Sequence, residues 1–146
     1  LILSTIDLST TYMILFDGDH FKDINDTYGH ETGDKVIKKI AETISNNFRA
    51  DDYICRIGGD EFMVLMVHTD GRQEKLVRNK INQINKELEE TADKTVPVIT
   101  VSAGIVHGTE AGDPQTLMNY ADRALYHSKQ NGRKQATFYH EIQKNR

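Results

Sequence analysis

Arg56-Ile-Gly-Gly-Asp-Glu-Phe-Met-Val-Leu-Met66 is the most informative stretch of the 146-residue chain. Its two glycines lie between apolar runs, which is typical of a β-hairpin, and glycine can supply the positive φ angles of a tight two-residue turn. Two carboxylates, Asp60 and Glu61, follow directly. Because successive strand residues point to opposite faces, these side chains cannot share one environment. The stretch predicts a hairpin over roughly 53–56 and 61–67, and an ordinary hairpin with solvated acids also fits it.

The rest of the chain alternates between strand and helix patterns. A buried strand is expected at 11–16, a short helix at 21–28, a loop at 29–33, a helix from Asp34 to about 48, a long helix at 73–91, a strand at 96–106, a helix from Pro114 to about 130 that Gly132 ends, and a strand at 136–140. This order predicts one α+β domain over 1–146, with a central, mostly antiparallel sheet of four or five strands flanked by helices.

Composition narrows the function class. The chain is 38% hydrophobic and 27% charged, as expected for a soluble domain with one core. Its net charge of -4 argues against broad nucleic-acid binding. No apolar run approaches the roughly 20 residues that cross a bilayer. The single cysteine, Cys55, is expected to be a small buried strand residue, and its lack of a partner favours a reducing, cytoplasmic setting, although a longer parent protein could be membrane-anchored.

Two distant aspartates have a similar setting. Asp17 ends an apolar strand, and Asp60 begins one just past the glycine turn. If these strands are neighbours, their carboxylates meet at one end of the sheet. Oxygen ligands of this kind suit Mg²⁺, and the carbonyl of Gly18 could add another. Two metals roughly 3.5–4 Å apart would then form a clamp for in-line phosphoryl displacement.

Three separated motifs make the sequence recognisable. They are Gly58-Gly59-Asp60-Glu61-Phe62, Asp17-Gly-Asp-His-Phe-Lys-Asp-Ile-Asn-Asp-Thr-Tyr-Gly-His30, and Ala121-Asp-Arg-Ala-Leu-Tyr-His-Ser-Lys-Gln-Asn-Gly-Arg133. Together they resemble the GGDEF family of diguanylate cyclases over roughly residues 11–139. The resemblance implies a fold akin to the palm of polymerases and class III nucleotidyl cyclases. It also implies that two GTP become cyclic di-GMP and two pyrophosphates, through attack of a 3′-hydroxyl on an α-phosphate across a homodimer.

The resemblance also implies roles for single residues. Asp17, the Gly18 carbonyl and Asp60 would bind two Mg²⁺ ions per site, for which Mn²⁺ could substitute. Asp60 and Glu61 are both candidates for deprotonating the 3′-hydroxyl, and the sequence does not decide between them. Asn25 and Asp34 would read guanine, since a carboxylate only accepts hydrogen bonds and guanine offers adjacent donors. Without the motif, Asp34 would be interpreted as a helix N-cap.

The remaining roles concern the phosphates and the product. The phosphate-binding positions of the family are matched by Lys22, Lys129 and Arg133, together with the backbone at Gly58 and Gly59. Lys129 and Arg133 would share a face if both were helical. The alternative for these two residues is that their positive charges complement the dipole of a helix C-terminus. Arg49 and Asp52 match an R-x-x-D site through which cyclic di-GMP inhibits the enzyme. The alternative for that pair is a weak surface ion pair.

Other interpretations and departures stay open at this point. The chain could be a weak or inactive module that binds GTP or cyclic di-GMP, but it keeps the acidic signature residues. A cyclase for another nucleotide is disfavoured by Asp34. The family's upstream D-x-L-T segment is absent, so the chain is expected to be a fragment of a longer multidomain protein. Gly18 replaces a common branched apolar residue, and Lys134 stands where asparagine is frequent.

Overall fold

A five-stranded sheet forms the centre of the protein, for which the computed structural model describes residues 5–143. The strand order is β2-β3-β1-β4-β5. The strands are β1 (Tyr12–Gly18), β2 (Tyr53–Arg56), β3 (Glu61–Met66), β4 (Val101–His107) and β5 (Ala136–Phe138). β1 pairs antiparallel with both β3 and β4, and only β5 runs parallel to its neighbour. The predicted α+β fold with a mostly antiparallel sheet is confirmed.

Within residues 5–143, five helices lie against this sheet. They are α1 (Phe21–Tyr28), α2 (His30–Asn46), α3 (Glu74–Glu90), α4 (Pro114–Gln130) and α5 (Tyr139–Gln143), with short 3-10 turns at Leu8–Thr10 and Gly108–Glu110. Pro114 opens α4 at a position where the missing N–H costs nothing. Gly132 follows the end of α4 with φ +112°, as expected for a helix-terminating glycine. None of the helices described combines the length and hydrophobicity needed to span a bilayer.

The core consists of two layers because β1 is buried on both faces. One set of alternate residues packs towards α1, α2 and α3, with Ile14 and Phe16 as members from β1. The other set packs towards α4, with Met13 and Leu15 as members. This alternation follows from the two-residue period of a strand. It places the last residues of β1 at one end of the sheet, between the two helical layers.

Three boundaries differ from the sequence prediction. The expected loop at 29–33 is helical, because Gly29 adopts φ +90° and α2 begins at the next residue. The strand expected from 96 begins only at Val101, since Pro97 has no N–H for a sheet ladder. The last strand ends at Phe138, and α5 follows where 139 and 140 were expected to extend it.

The hairpin at β2 and β3 has the predicted strands but not the predicted turn. Neither Gly58 nor Gly59 has a positive φ; among residues 5–143 the glycines with positive φ are Gly29 and Gly132. The strands are joined by a wider loop, across which the Ile57 N–H donates to the Glu61 carbonyl at 2.9 Å. Cys55 is exposed rather than buried, because β2 lies at the edge of the sheet.

Candidate active site

The end of β1 meets the tip of the β2–β3 hairpin. Asp17 lies opposite Glu61 in the antiparallel register. One residue further, the Gly18 N–H donates to the Asp60 carbonyl at 3.1 Å. A methyl group on Gly18 would stand 3.3 Å from Asp60 Oδ2, so the Asp60 carboxylate lies directly against the glycine. The structure therefore brings the first motif and the glycine-acid motif to one end of the sheet.

The two predicted metal carboxylates approach this strand end from different sides. Asp17 is 8% exposed, and its Oδ2 is in contact with Lys129 Nζ from α4. Asp60 lies on the side that a Gly18 side chain would occupy, and neighbouring strand residues point to opposite faces. The Asp17 carboxylate is therefore paired with a cation of the protein itself, whereas Asp60 forms no such pair with any residue in the described range.

The electrostatic surroundings of Asp60 disfavour its charge. Burial raises the pKa of the Asp60 carboxyl above its ordinary value, and the nearby Asp19 carboxylate raises it further. A backbone hydrogen bond and Arg56 lower the pKa but do not cancel the shift. The Arg56 guanidinium is engaged elsewhere, since it donates to the carbonyls of Gly58 at 3.0 Å and Gly59 at 2.6 Å.

The donor atoms at this end of the sheet fit a hard divalent cation. Asp17, Asp60 and the Gly18 carbonyl offer oxygen only, and Mg²⁺ is commonly held by one or two carboxylates together with water and substrate phosphates. Across residues 5–143, no group of three or more His, Cys, Asp or Glu side chains is arranged to hold a metal ion. The expected ligand set of two carboxylates and one carbonyl is smaller than such a group.

The two predicted guanine-reading residues lie on consecutive helices. Asn25 is on α1, and its amide oxygen lies so close to Gly33 that any side chain there would overlap it. Asp34 follows Gly33 on α2 and is exposed. The N-cap interpretation of Asp34 is wrong, because α2 begins at His30 and Asp34 lies in its second turn. Gly33 thus lets α1 and α2 approach closely at the place where both residues stand.

The predicted phosphate-binding residues are not equivalent in the structure. Burial and the neighbouring Arg133 lower the pKa of Lys129, while the Asp17 carboxylate beside it favours the charged form. Arg133 lies beyond the end of α4, with φ 62°, so the two residues do not share a helical face. Lys22 is on α1, where it forms an exposed ion pair with Asp26 at 3.0 Å.

Gly58 and Gly59 leave two positions of the hairpin tip without side chains. A methyl group on Gly59 would meet no atom within 4 Å, and one on Gly58 would meet the Glu61 side chain at 2.5 Å. Backbone conformation does not require glycine at either position, since neither φ is positive. The missing side chains therefore leave the backbone of the tip accessible.

Arg49 and Asp52 form a partly buried ion pair with several hydrogen bonds, rather than the weak surface pair considered as the alternative. The Asp52 side chain is fully buried, and its oxygens accept from the Arg49 N–H at 2.9 Å, the Arg49 guanidinium at 3.1 Å and the Val67 N–H at 3.1 Å. The guanidinium also donates to the Val67 carbonyl and to Thr69 Oγ1. About half of the Arg49 side chain, 48%, remains exposed.

Asp19 is a prominent site residue that the sequence motifs alone did not single out. It is 6% exposed and accepts hydrogen bonds from Thr100, Ser102 and the backbone of Lys134. A signal was available in the sequence, because Asp19 belongs to the same short acidic motif as Asp17. Its partners on β4 and after α4 could not be inferred from spacing alone.

Known proteins resemble this chain in sequence. The family model described as "Diguanylate cyclase, GGDEF domain" matches residues 5–135. The chain belongs to the diguanylate cyclase GGDEF domain family. The GGDEF domain is 36% identical over 124 residues to the probable diguanylate cyclase DgcT of Escherichia coli (strain K12). This match covers 83% of this chain and 27% of that protein. The domain is 35% identical to diguanylate cyclase A of Treponema denticola, over 88% of this chain and 35% of that protein.

Solved structures show the same architecture. The coiled coil and GGDEF domain of DgcB from Caulobacter crescentus, in complex with c-di-GMP, has a TM-score of 0.80 and 31% identity, covering 89% of this chain and 70% of that one. The active GGEEF domain of a diguanylate cyclase from Vibrio cholerae has a TM-score of 0.78 and 28% identity, covering 90% and 83%. The chain spans only 27% and 35% of the two curated relatives above.

Proposed function

We propose that this GGDEF domain condenses two GTP into cyclic di-GMP and two pyrophosphates. The observation that supports the proposal most is the contact between Gly18 and Asp60, which joins two distant acidic motifs at one end of the sheet. If these two motifs lay at separate edges of the sheet, a cation at either edge would meet only one isolated carboxylate. A triphosphate needs such cations, because the chain as a whole has a net charge of -4.

In the proposed substrate complex, Asp17 and Lys129 exchange partners. Asp17, Asp60 and the Gly18 carbonyl would hold Mg²⁺, or Mn²⁺ in its place, with two ions per site. Bound there, these ions neutralise the phosphates and polarise the reacting oxygens. Lys129, released from Asp17, would turn to the phosphate tail together with Arg133 and Lys22. Gly58 and Gly59 would let the backbone of the hairpin tip approach the nucleotide.

Guanine recognition is proposed for Asn25 and Asp34. The close approach of α1 and α2 at Gly33 brings the Asn25 amide beside the turn that carries Asp34. An ionised Asp34 accepts from the guanine N1–H and N2–H₂, whereas adenine would present an acceptor. ATP should therefore compete weakly with GTP, and a direct competition measurement checks this.

Two matched variants separate the roles of the hairpin acids. Asp60→Asn should lose Mg²⁺ affinity in the presence of GTP, since it removes a proposed ligand. Glu61→Gln should keep Mg²⁺ and GTP binding but lose turnover if Glu61 removes the 3′-hydroxyl proton. If Glu61→Gln keeps turnover, the base is Asp60 or a water molecule.

Joining two GTP molecules requires two sites that face each other, so the proposed working unit is a homodimer. Cyclic di-GMP is proposed to inhibit it at Arg49, whose half-exposed guanidinium can still pair with phosphate. Arg49→Ala should raise the product concentration needed for inhibition. Because Arg49 also holds Asp52, thermal unfolding of the variant must accompany the assay.

Incubation of the chain with GTP and Mg²⁺, followed by chromatography, tests the activity directly. The expected products are one cyclic di-GMP and two pyrophosphates for every two GTP consumed. If GTP binds but no product forms, even after fusion to a dimerising segment, the domain is a nucleotide-binding module instead. If GTP does not bind, the site proposal itself is wrong.

A further inference from the structure

Asp19 is a buried carboxylate that accepts hydrogen bonds from three residues of the fold. Thr100 Oγ1 donates to its Oδ2 at 2.7 Å, and Ser102 Oγ donates to its Oδ1 at 2.6 Å. The Lys134 N–H donates to Oδ2 at 3.1 Å. The Asp19 N–H in turn donates to the Thr100 carbonyl at 2.9 Å. One side chain thus connects the end of β1, the start of β4 and the turn after α4.

The turn after α4 has an unfavourable backbone. Gly132, Arg133 and Lys134 have successive φ angles of 112°, 62° and 51°, and only the first is a glycine. Non-glycine residues stay in this left-handed region only where the surroundings fix them. The fixing contacts are Arg133 N–H to the Ser128 carbonyl at 3.0 Å, Lys134 N–H to Asp19, and Ala103 N–H to the Gln135 carbonyl at 2.9 Å.

We infer that Asp19 is a positioning residue, which holds the Arg133–Lys134 turn against the end of β1 so that Arg133 meets the phosphate tail of the bound nucleotide. The inference rests on the proposed function. Asp19 directly follows Gly18, which contacts Asp60, so the anchor of the basic turn is adjacent in sequence to the proposed cation site. The other two fixing contacts reach α4 and β4, so the bond to Asp19 is the one among them that ties the turn to the end of β1.

A role for Asp19 as a further metal ligand fits the structure less well. Both of its oxygens already accept hydrogen bonds from the protein, and the side chain is almost fully buried. Oδ2 already accepts two hydrogen bonds, so a cation at Asp19 would have to use the second lone pair of Oδ1 beside the Ser102 hydroxyl. The two roles predict different behaviour for the neutral variant Asp19→Asn.

The central measurement compares two nucleotides that cannot be condensed. Affinities for 3′-deoxy-GTP and for GMP, both with Mg²⁺, are measured calorimetrically for wild type, Asp19→Ala and Asp19→Asn. Asp19→Ala should weaken 3′-deoxy-GTP binding about tenfold or more, because a misplaced Arg133 loses its charge-assisted bonds to the phosphate tail. GMP binding, which lacks that tail, should stay within about twofold of wild type.

Asp19→Asn is the rescue variant. Its amide oxygen can accept from Thr100 and Lys134, while its NH₂ donates to Ser102, whose hydroxyl can reverse direction. It should therefore retain 3′-deoxy-GTP affinity close to wild type. Thr100→Val is the matched control, since it removes one donor and keeps the Asp19–Lys134 bond, and it should behave like Asp19→Asn.

Hydrogen exchange of the Lys134 amide supplies a readout that needs no nucleotide. This amide should be protected in wild type and Asp19→Asn and should exchange faster in Asp19→Ala. Equal exchange in all three proteins overturns the inference. So does an Asp19→Asn variant that binds 3′-deoxy-GTP as poorly as Asp19→Ala, or an equal loss of GMP binding. If wild type binds neither nucleotide, the proposed function fails, and the exchange rates still decide whether Asp19 fixes the turn.

Discussion

Asp52 and Asp60 stand at opposite ends of the same hairpin and have opposite surroundings. Asp52 is fully buried, and it accepts from two backbone N–H groups and from the Arg49 guanidinium. Asp60 is half-buried near Asp19, and its pKa is raised. A carboxylate that the fold itself neutralises stabilises the native state, whereas one left without a cationic partner costs stability. We attribute the hydrogen bonds of Asp52 to stabilisation of the fold. We propose that Asp60 is retained, despite its cost in stability, because it binds a cation.

Asp60→Asn should show the largest effect on activity. Loss of a metal ligand removes several kcal/mol of charge stabilisation, so turnover of GTP should fall by more than about a hundredfold. In the absence of metal, by contrast, the Asp60→Asn variant should be no less stable than wild type. A variant that keeps wild-type turnover would contradict the assignment of Asp60 to the cation site.

The pH dependence of the same variant has a definite sign. Because the folded-state pKa of Asp60 is raised, the folded protein binds more protons than the unfolded chain above the ordinary pKa of aspartate. The Asp60 contribution to stability is therefore best at low pH and is lost as the pH rises through the raised pKa. At neutral pH, Asp60→Asn should equal or exceed wild type in unfolding free energy, by less than about 1 kcal/mol because water screens the half-exposed group. Urea unfolding at several pH values measures this.

Asp52→Ala should have the largest effect on stability. It leaves the Val67 N–H without its acceptor and removes the carboxylate that pairs with the Arg49 guanidinium, which should lower the unfolding free energy by about 2–4 kcal/mol. Asp52→Asn is the control, because it keeps the shape and one acceptor oxygen and should lose less. An unfolding midpoint in urea unchanged by Asp52→Ala would show that the buried contact is not stabilising.

Gly59→Ala tests the hairpin tip between these two acids. Its added methyl group meets no atom within 4 Å and needs no positive φ, so stability should stay equal or rise by up to about 1 kcal/mol. GTP affinity should nevertheless fall, since the methyl group occupies the space proposed for the nucleotide. Gly112→Ala is the control, because it is likewise free of neighbours and lies away from the site. Unchanged GTP affinity in Gly59→Ala would show that the nucleotide does not bind at the hairpin tip.

The same contrast explains which features the sequence could predict. The strands, the sheet and the meeting of Asp17 with the hairpin follow from apolar patterns and spaced motifs. The start of α2 could not be predicted correctly because Gly33, which normally breaks a helix, is required inside it by the close approach of Asn25. The partners of Asp19 and Asp52 come from distant parts of the chain, and hydrogen bonds of this kind leave no periodic pattern.

Lys134→Asn should have the smallest effect on stability, and it changes only the turn that is bound to Asp19. Lys134 adopts φ 51°, a region that asparagine tolerates better than lysine. Among the residues that the structure describes, its side chain has a polar contact only with Glu89, at 3.5 Å in an exposed ion pair that is worth little. The variant should therefore gain up to about 1 kcal/mol of unfolding free energy while the Lys134 N–H keeps its bond to Asp19. A loss of stability would mean that the Glu89 contact outweighs the backbone strain, and that the turn is held by its side chains rather than by Asp19.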